Sequence, residues 1–153
     1  MVKSYRGVRV EPAKTVKEQP LNVEDYMSRR LITFTPDQTI DDVVSVLLEK
    51  KISGGPVVDD KNNLIGVISE GDCLKEVVKG KYTNNPSLHG TVKDHMATDV
   101  KTIAPDLNIF EAAQMFLNMK LRRFPVIKDG KLIGQISQKD VMKAVQNLQD
   151  TTW

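Results

Sequence analysis

The chain has 153 residues, 40% of them hydrophobic and 27% charged, with a formal net charge of +2 at pH 7. Such a chain suits one compact domain or two small halves sharing a core, and its charge is too even to make nucleic acid the main partner. No apolar run approaches the ~20 residues that span a bilayer, and the start, Met1-Val-Lys-Ser-Tyr-Arg-Gly, lacks the apolar stretch of a secretory signal, so a cytoplasmic protein is expected.

Residues 1–20 form an N-terminal arm carrying Lys3, Arg6, Arg9, Lys14 and Lys17 against Glu11 and Glu18. Tyr5, Val8 and Val10 suit a short strand or a mobile arm, and the basic residues are too sparse for a nucleic-acid tail. From there the sequence repeats itself. Val23-Glu-Asp-Tyr-Met27 returns as Val92-Lys-Asp-His-Met96, Thr33-Phe-Thr-Pro36-Asp37 as Thr102-Ile-Ala-Pro105-Asp106, and Pro56-Val-Val as Pro125-Val-Ile, each 69 residues on (92 less 23). Leu64-Ile-Gly66-Val-Ile-Ser69-Glu-Gly-Asp72 returns as Leu132-Ile-Gly134-Gln-Ile-Ser137-Gln-Lys-Asp140, now 68 residues on (132 less 64). The lost residue falls where Asp60-Lys-Asn-Asn63 faces the shorter Asp129-Gly-Lys131, in turn-type sequence that tolerates it.

Within each repeat the elements come in one order. A short segment around residues 32–34 precedes a helix start, Thr39-Ile-Asp-Asp42 or Asn108-Ile-Phe-Glu111, where a capping side chain stands three residues before an acid. Ile40, Val43, Val44, Leu47 and Leu48, then Ile109, Ala112, Ala113, Phe116 and Leu117, follow at helical spacing. Residues 56–58 pair with 64–69, and 125–127 with 132–137, as hairpins of short apolar strands. Closing helices start near Glu70 and Gln138, and turn residues from Gly80 to Gly90 separate the repeats. The fold class is α/β, made twice: residues 21–80, a loop at 81–91, residues 92–148, and a tail at 149–153.

Little in the chain suggests catalysis. Cys73 has no partner for an internal disulfide and suits buried packing. His89 and His95 make no metal-ligand spacing with it, and no phosphate-binding Gly-rich motif or Ser/His/Asp arrangement is present. Asp41-Asp42 belongs to a helix start and Asp59-Asp60 to a turn. No catalytic residue and no metal is expected.

The repeated order of Val-x-Asp-x-Met, Thr-x-x-Pro-Asp, Pro-Val-[Val/Ile] and Gly-x-Ile-Ser-x-x-Asp resembles the CBS domain, the regulatory module named after cystathionine β-synthase. The resemblance covers residues 21–146. It implies a tandem pseudo-two-fold pair of small sheets with flanking helices, and two clefts between the repeats that bind AMP, ADP, ATP or S-adenosylmethionine. It also implies a sensor rather than an enzyme, with no required cofactor, a separate regulated protein, and a homodimer formed through outer helices carrying Val44, Leu48, Ala113 and Leu117. A ligand-free dimerisation or docking module is the alternative.

By the same resemblance Asp72 and Asp140 accept from ribose hydroxyls, with Ser69 and Ser137 at ribose or phosphate. A carboxylate suits a vicinal diol, although Ser-x-x-Asp before a helix is also a capping box. Arg122 and Arg123 match positions where relatives place a phosphate-binding base, or else are solvated surface arginines. The first repeat has Ser53-Gly54-Gly55 there, which offers flexibility and no charge. Thr33 and Thr102 match positions near adenine or ribose, or are ordinary strand threonines.

Overall fold

The structure is a computed structural model that describes residues 3–5, 21–82 and 88–151. Its two hairpins are near copies: β2 (Gly54–Val58) with β3 (Leu64–Ser69), and β5 (Arg123–Lys128) with β6 (Lys131–Ser137). Gly54 stands opposite Ser69 as Arg123 stands opposite Ser137, and both ladders slip at the same place, between Val57 and Val58 and between Val126 and Ile127. The missing residue changes only the turn. Asp129 and Gly130 take positive φ values of 53° and 80°, which suits the two-residue turn that follows strand twist. The longer turn is held by Asp59, whose Oδ1 accepts from the Lys61 and Asn63 N–H groups, both at 2.9 Å.

A parallel segment lies beside each hairpin, as a single bridge in the first unit and as a strand in the second. Phe34 bridges Val57, with its N–H 2.9 Å from the Pro56 carbonyl. Its counterpart β4 (Lys101–Ile103) pairs with β5 through Ile103 and Val126. The arm supplies a fourth strand here: β1 (Lys3–Tyr5) runs parallel to β4, giving the order β1-β4-β5-β6. Val8 and Val10 lie outside the described residues.

The first helices, α1 (Ile40–Lys50) and α4 (Ile109–Met119), start where the capping residues predict. Thr39 Oγ1 accepts from the Asp42 N–H at 3.1 Å, and Asn108 Oδ1 from the Phe110 N–H at 2.8 Å. Each helix buries three positions, Ile40, Val43 and Leu47 or Ile109, Ala112 and Phe116, and leaves a leucine out: Leu48 is 74% exposed and Leu117 73%. The closing helices α2 (Glu70–Tyr82) and α5 (Gln138–Thr151) begin at the expected residues, and the short α3 (Val92–His95) opens the second repeat.

The compact units do not follow the repeat boundaries. One comprises the described residues of Leu31–Val100, the other those of Lys3–Arg30 and Lys101–Trp153. Each repeat's opening segment therefore packs with the strands and helices of the other repeat. In the first unit Val67 and Ala97 exchange backbone bonds of 2.9 Å, and in the second Ser28 and Gln135 do so at 2.8 and 2.9 Å. Sterics explain why glycine repeats at 66 and 134. A Cβ on Gly66 would lie 2.7 Å from Met96 Sδ and 2.8 Å from the Ala97 carbonyl; one on Gly134 would collide with Met27 Sδ. The Val-x-Asp-x-Met motif of one repeat thus docks on the strand glycine of the other.

Each unit has a core of its own residues. Phe34, Ile40, Val43, Leu47, Val57, Ile68, Cys73 and Val92 form one cluster. The other includes Val23, Met27, Ile103, Phe116, Phe124 and Ile136, with the Phe116 and Phe124 rings 4.7 Å apart. In the first unit a buried contact also ties α2 to α3: His95 Nε2 lies 2.6 Å from Glu76 Oε2.

Candidate functional site: two Ser-Asp turns

Each closing strand runs directly into a helix, and Ser and Asp span the junction. Asp72 Oδ2 accepts from the Ser69 N–H and from Ser69 Oγ, both at 2.9 Å, while the Asp72 N–H reaches back to Ser69 Oγ at 3.4 Å. Asp140 and Ser137 repeat this at 2.8, 3.0 and 3.2 Å. The capping box expected of these residues is therefore formed twice. It draws on one carboxylate oxygen, Oδ2, in each case. Among the described residues, Oδ1 of Asp72 meets the exposed Lys75 ammonium at 3.8 Å, and it remains an acceptor that capping does not consume.

The segment before each hairpin is fastened to this turn. The Glu70 N–H donates to the Ser53 carbonyl at 2.9 Å, and the Gln138 N–H to the Arg122 carbonyl at 3.2 Å. With Gly54 paired to Ser69 and Arg123 to Ser137, each unit gathers positions 53, 54, 69 and 72, or 122, 123, 137 and 140, at one place. Arg122 and Arg123 are exposed there. Gln138 adds a side-chain bond, Nε2 to the Leu121 carbonyl at 3.0 Å.

Gly54 is present for a different reason than flexibility. Its φ is not positive, and a Cβ there would lie 2.5 Å from the Ile68 carbonyl oxygen and 3.0 Å from Ser69 Cα. Gly55 is similarly pressed, with the Ile32 carbonyl and a Phe34 ring carbon both 2.9 Å from its would-be Cβ. The backbone of the first unit closes in where the second carries arginine.

The two threonines part company. Thr33 is exposed, one residue from the strand position Phe34, whereas Thr102 is fully buried within β4 and offers no surface. β1 pairs along β4 with Ser4 opposite Thr102, whereas Thr33 lies beside the single bridge at Phe34. Cys73, next to Asp72, is 4% exposed. Burial, and then the charges of Asp72 and Glu70, hold its thiol above the ordinary range. Among the described residues no cluster of three or more His, Cys, Asp or Glu could hold a metal ion, and no helix is long and apolar enough to cross a membrane. Sequence reasoning passed over Glu70 and Gln138, and Gly71 and Lys139; the signal was available, because these matched positions break the repeat in charge.

Two small α/β units, each a short sheet with helices and a Ser-Asp turn, define a tandem-module architecture. The chain belongs to the CBS domain family, whose family model matches residues 23–79 and 92–147. It is similar to the CBS domain-containing protein CBSX2, chloroplastic, of Arabidopsis thaliana, with 31% identity over 156 residues, covering 85% of this chain and 66% of the plant protein. The crystal structure of CBSX2 in complex with AMP superimposes with a TM-score of 0.72 at 33% identity, covering 85% of this chain and 99% of that one. An inosine-5'-monophosphate dehydrogenase of Methanocaldococcus jannaschii is 28% identical over 140 residues, covering 91% of this chain but 26% of the enzyme. The chain thus spans 66%, 41% and 26% of the first three curated relatives it matches.

Proposed function

We propose that the chain is a regulatory module without catalysis of its own, in which the Ser-Asp turns bind the ribose of an adenosine-containing ligand. AMP is the first candidate, ahead of ADP, ATP and S-adenosylmethionine. The observation that carries this reading is the AMP complex of CBSX2, a chain 33% identical that this one covers almost throughout. The residues here suit such a ligand: Asp140 Oδ1 for the ribose diol, Ser137 beside it, and the Arg122 and Arg123 guanidinium groups for phosphate. Asp72, Ser69 and Thr33 take the matching part in the first unit, and Thr102 contributes only as part of the strand beneath. A separate protein reads the bound state, and the coupling is as large as the ligand's differential affinity for the two states. Homodimerisation through the outer faces of α1 and α4 completes the proposal, supported by the exposed Leu48 and Leu117.

Thermal-shift and calorimetric titration test it. A ligand at 100 times its Kd adds roughly 2.7 kcal/mol of stability. Asp140→Asn should weaken AMP about tenfold to a hundredfold, the equivalent of one charge-assisted hydrogen bond. If Asp140→Asn lowers the melting temperature but leaves AMP affinity intact, the aspartate is a cap and nothing more. The second reading, a ligand-free dimerisation module, is favoured by the uncharged Ser53-Gly54-Gly55; it predicts no shift with any nucleotide and a dimer at micromolar concentration.

A further inference from the structure

The two Ser-Asp turns share their hydrogen bonds but not their charge. Around the first, Glu70 and Asp72 are both acidic, while Ser53, Gly54 and Gly71 carry nothing. At the matching positions of the second, Arg122, Arg123 and Lys139 are basic, Gln138 is neutral, and only Asp140 is acidic. The same five places thus run from a surplus of two negative charges to a surplus of two positive ones. Lys75 and Lys143 repeat each other one helical turn on and leave that difference intact.

Positions 53, 54, 70 and 72 come together in the first unit and 122, 123, 138 and 140 in the second, because backbone bonds fasten Glu70 to Ser53 and Gln138 to Arg122, and Gly54 and Arg123 pair with Ser69 and Ser137. The neutral Gln138 is built in: its amide donates to the Leu121 carbonyl, a bond the Glu70 carboxylate has no proton to make. The backbone enforces the contrast from the other side. At Gly54 any side chain would be driven against the Ile68 carbonyl, so the first unit has no room for a counterpart of Arg123.

We infer that the two units sort adenosine ligands by the charge of their 5′ group: the second takes a 5′-phosphate, and the first takes a neutral or cationic 5′ substituent, as in adenosine or a sulfonium nucleoside. The inference rests on the ribose reading of Asp72 and Asp140. An acid at position 70 repels a phosphate that the arginines at 122 and 123 attract, while the ribose contact stays common to both.

Calorimetry with adenosine, AMP and S-adenosylmethionine on the full chain tests it, using Asp72→Asn, Asp140→Asn and Glu70→Gln. The Asp140→Asn variant should lose AMP affinity by about tenfold or more, the range of one charge-assisted contact, with Asp72→Asn leaving AMP unchanged. Asp72→Asn should instead weaken S-adenosylmethionine. Glu70→Gln, which copies the residue the second unit already tolerates, should raise AMP binding in the Asp140→Asn background. Equal loss of AMP in the two aspartate variants would overturn the sorting while leaving the ribose contact standing. Undiminished binding of every ligand in both variants, or no binding by the native chain, would instead overturn the ribose reading itself.

Discussion

Gly134→Ala tests the crosswise docking of the repeats with a single methyl group. The new Cβ would collide with Met27 Sδ, and it would sit 3.0 Å from Met27 Cγ and 2.9 Å from the Ser28 carbonyl oxygen. Met27 is a flexible thioether and can yield in part, although at 8% exposure it is held within a core. Ser28 cannot yield cheaply. Its N–H donates to the Gln135 carbonyl at 2.8 Å, and its carbonyl accepts from the Gln135 N–H at 2.9 Å, so moving it breaks the bridge that docks the segment. Overpacking of this kind costs about 1–3 kcal/mol. For a chain of this length that lowers Tm by roughly 2–12 °C. Urea unfolding followed by circular dichroism, with an unchanged m value, measures it. Met27→Ala alone should cost about 2–5 kcal/mol by leaving a cavity. The double variant puts the methyl group into that cavity, and its cost should fall short of the sum by about 0.5 kcal/mol or more. A Gly134→Ala protein as stable as the native one, or strictly additive costs, would refute the docking argument.

His95→Ala should cost about 1–3 kcal/mol, because it removes the buried imidazole that stands against the Glu76 carboxylate. By contrast, Lys93→Ala, which removes an exposed pair to Asp37, should cost no more than about 1 kcal/mol in the same urea melts. Cys73 should resist thiol reagents at neutral pH until urea is added, since its thiolate is disfavoured by burial and by Asp72 and Glu70. With the folded pKa raised, the thiol's contribution to stability is full below the unfolded thiol's pKa and is lost as pH rises through the folded value. Cys73→Ala should flatten that alkaline limb; rapid labelling of the native protein at neutral pH would contradict the burial.

Much of this protein is legible in the chain because the relevant interactions are local. The cap residues Thr39 and Asn108, the helical spacing after them, and the hairpin turn at Asp129-Gly130 act over a few residues, so sequence alone determines where α1, α4 and the hairpins stand. The Ser-x-x-Asp pairs were legible for the same reason, since their hydrogen bonds close within one turn. The repeat showed that this happens twice. What sequence could not decide is what lies far apart along the chain. Nothing near Val23 states that its segment docks on Gly134 rather than Gly66; that choice belongs to long-range packing of Met27 and to the Ser28–Gln135 bridge. Gly54 read as flexible because a missing side chain permits many conformations. Only the tertiary structure, with the Ile68 carbonyl against it, shows that a missing side chain is what close approach demands. Thr33 and Thr102 are the same letter in the same motif, yet one is exposed and the other buried: among the described residues Thr102 stands within a strand that residues 3–5, almost a hundred positions away, pair with, and Thr33 stands beside a single bridge.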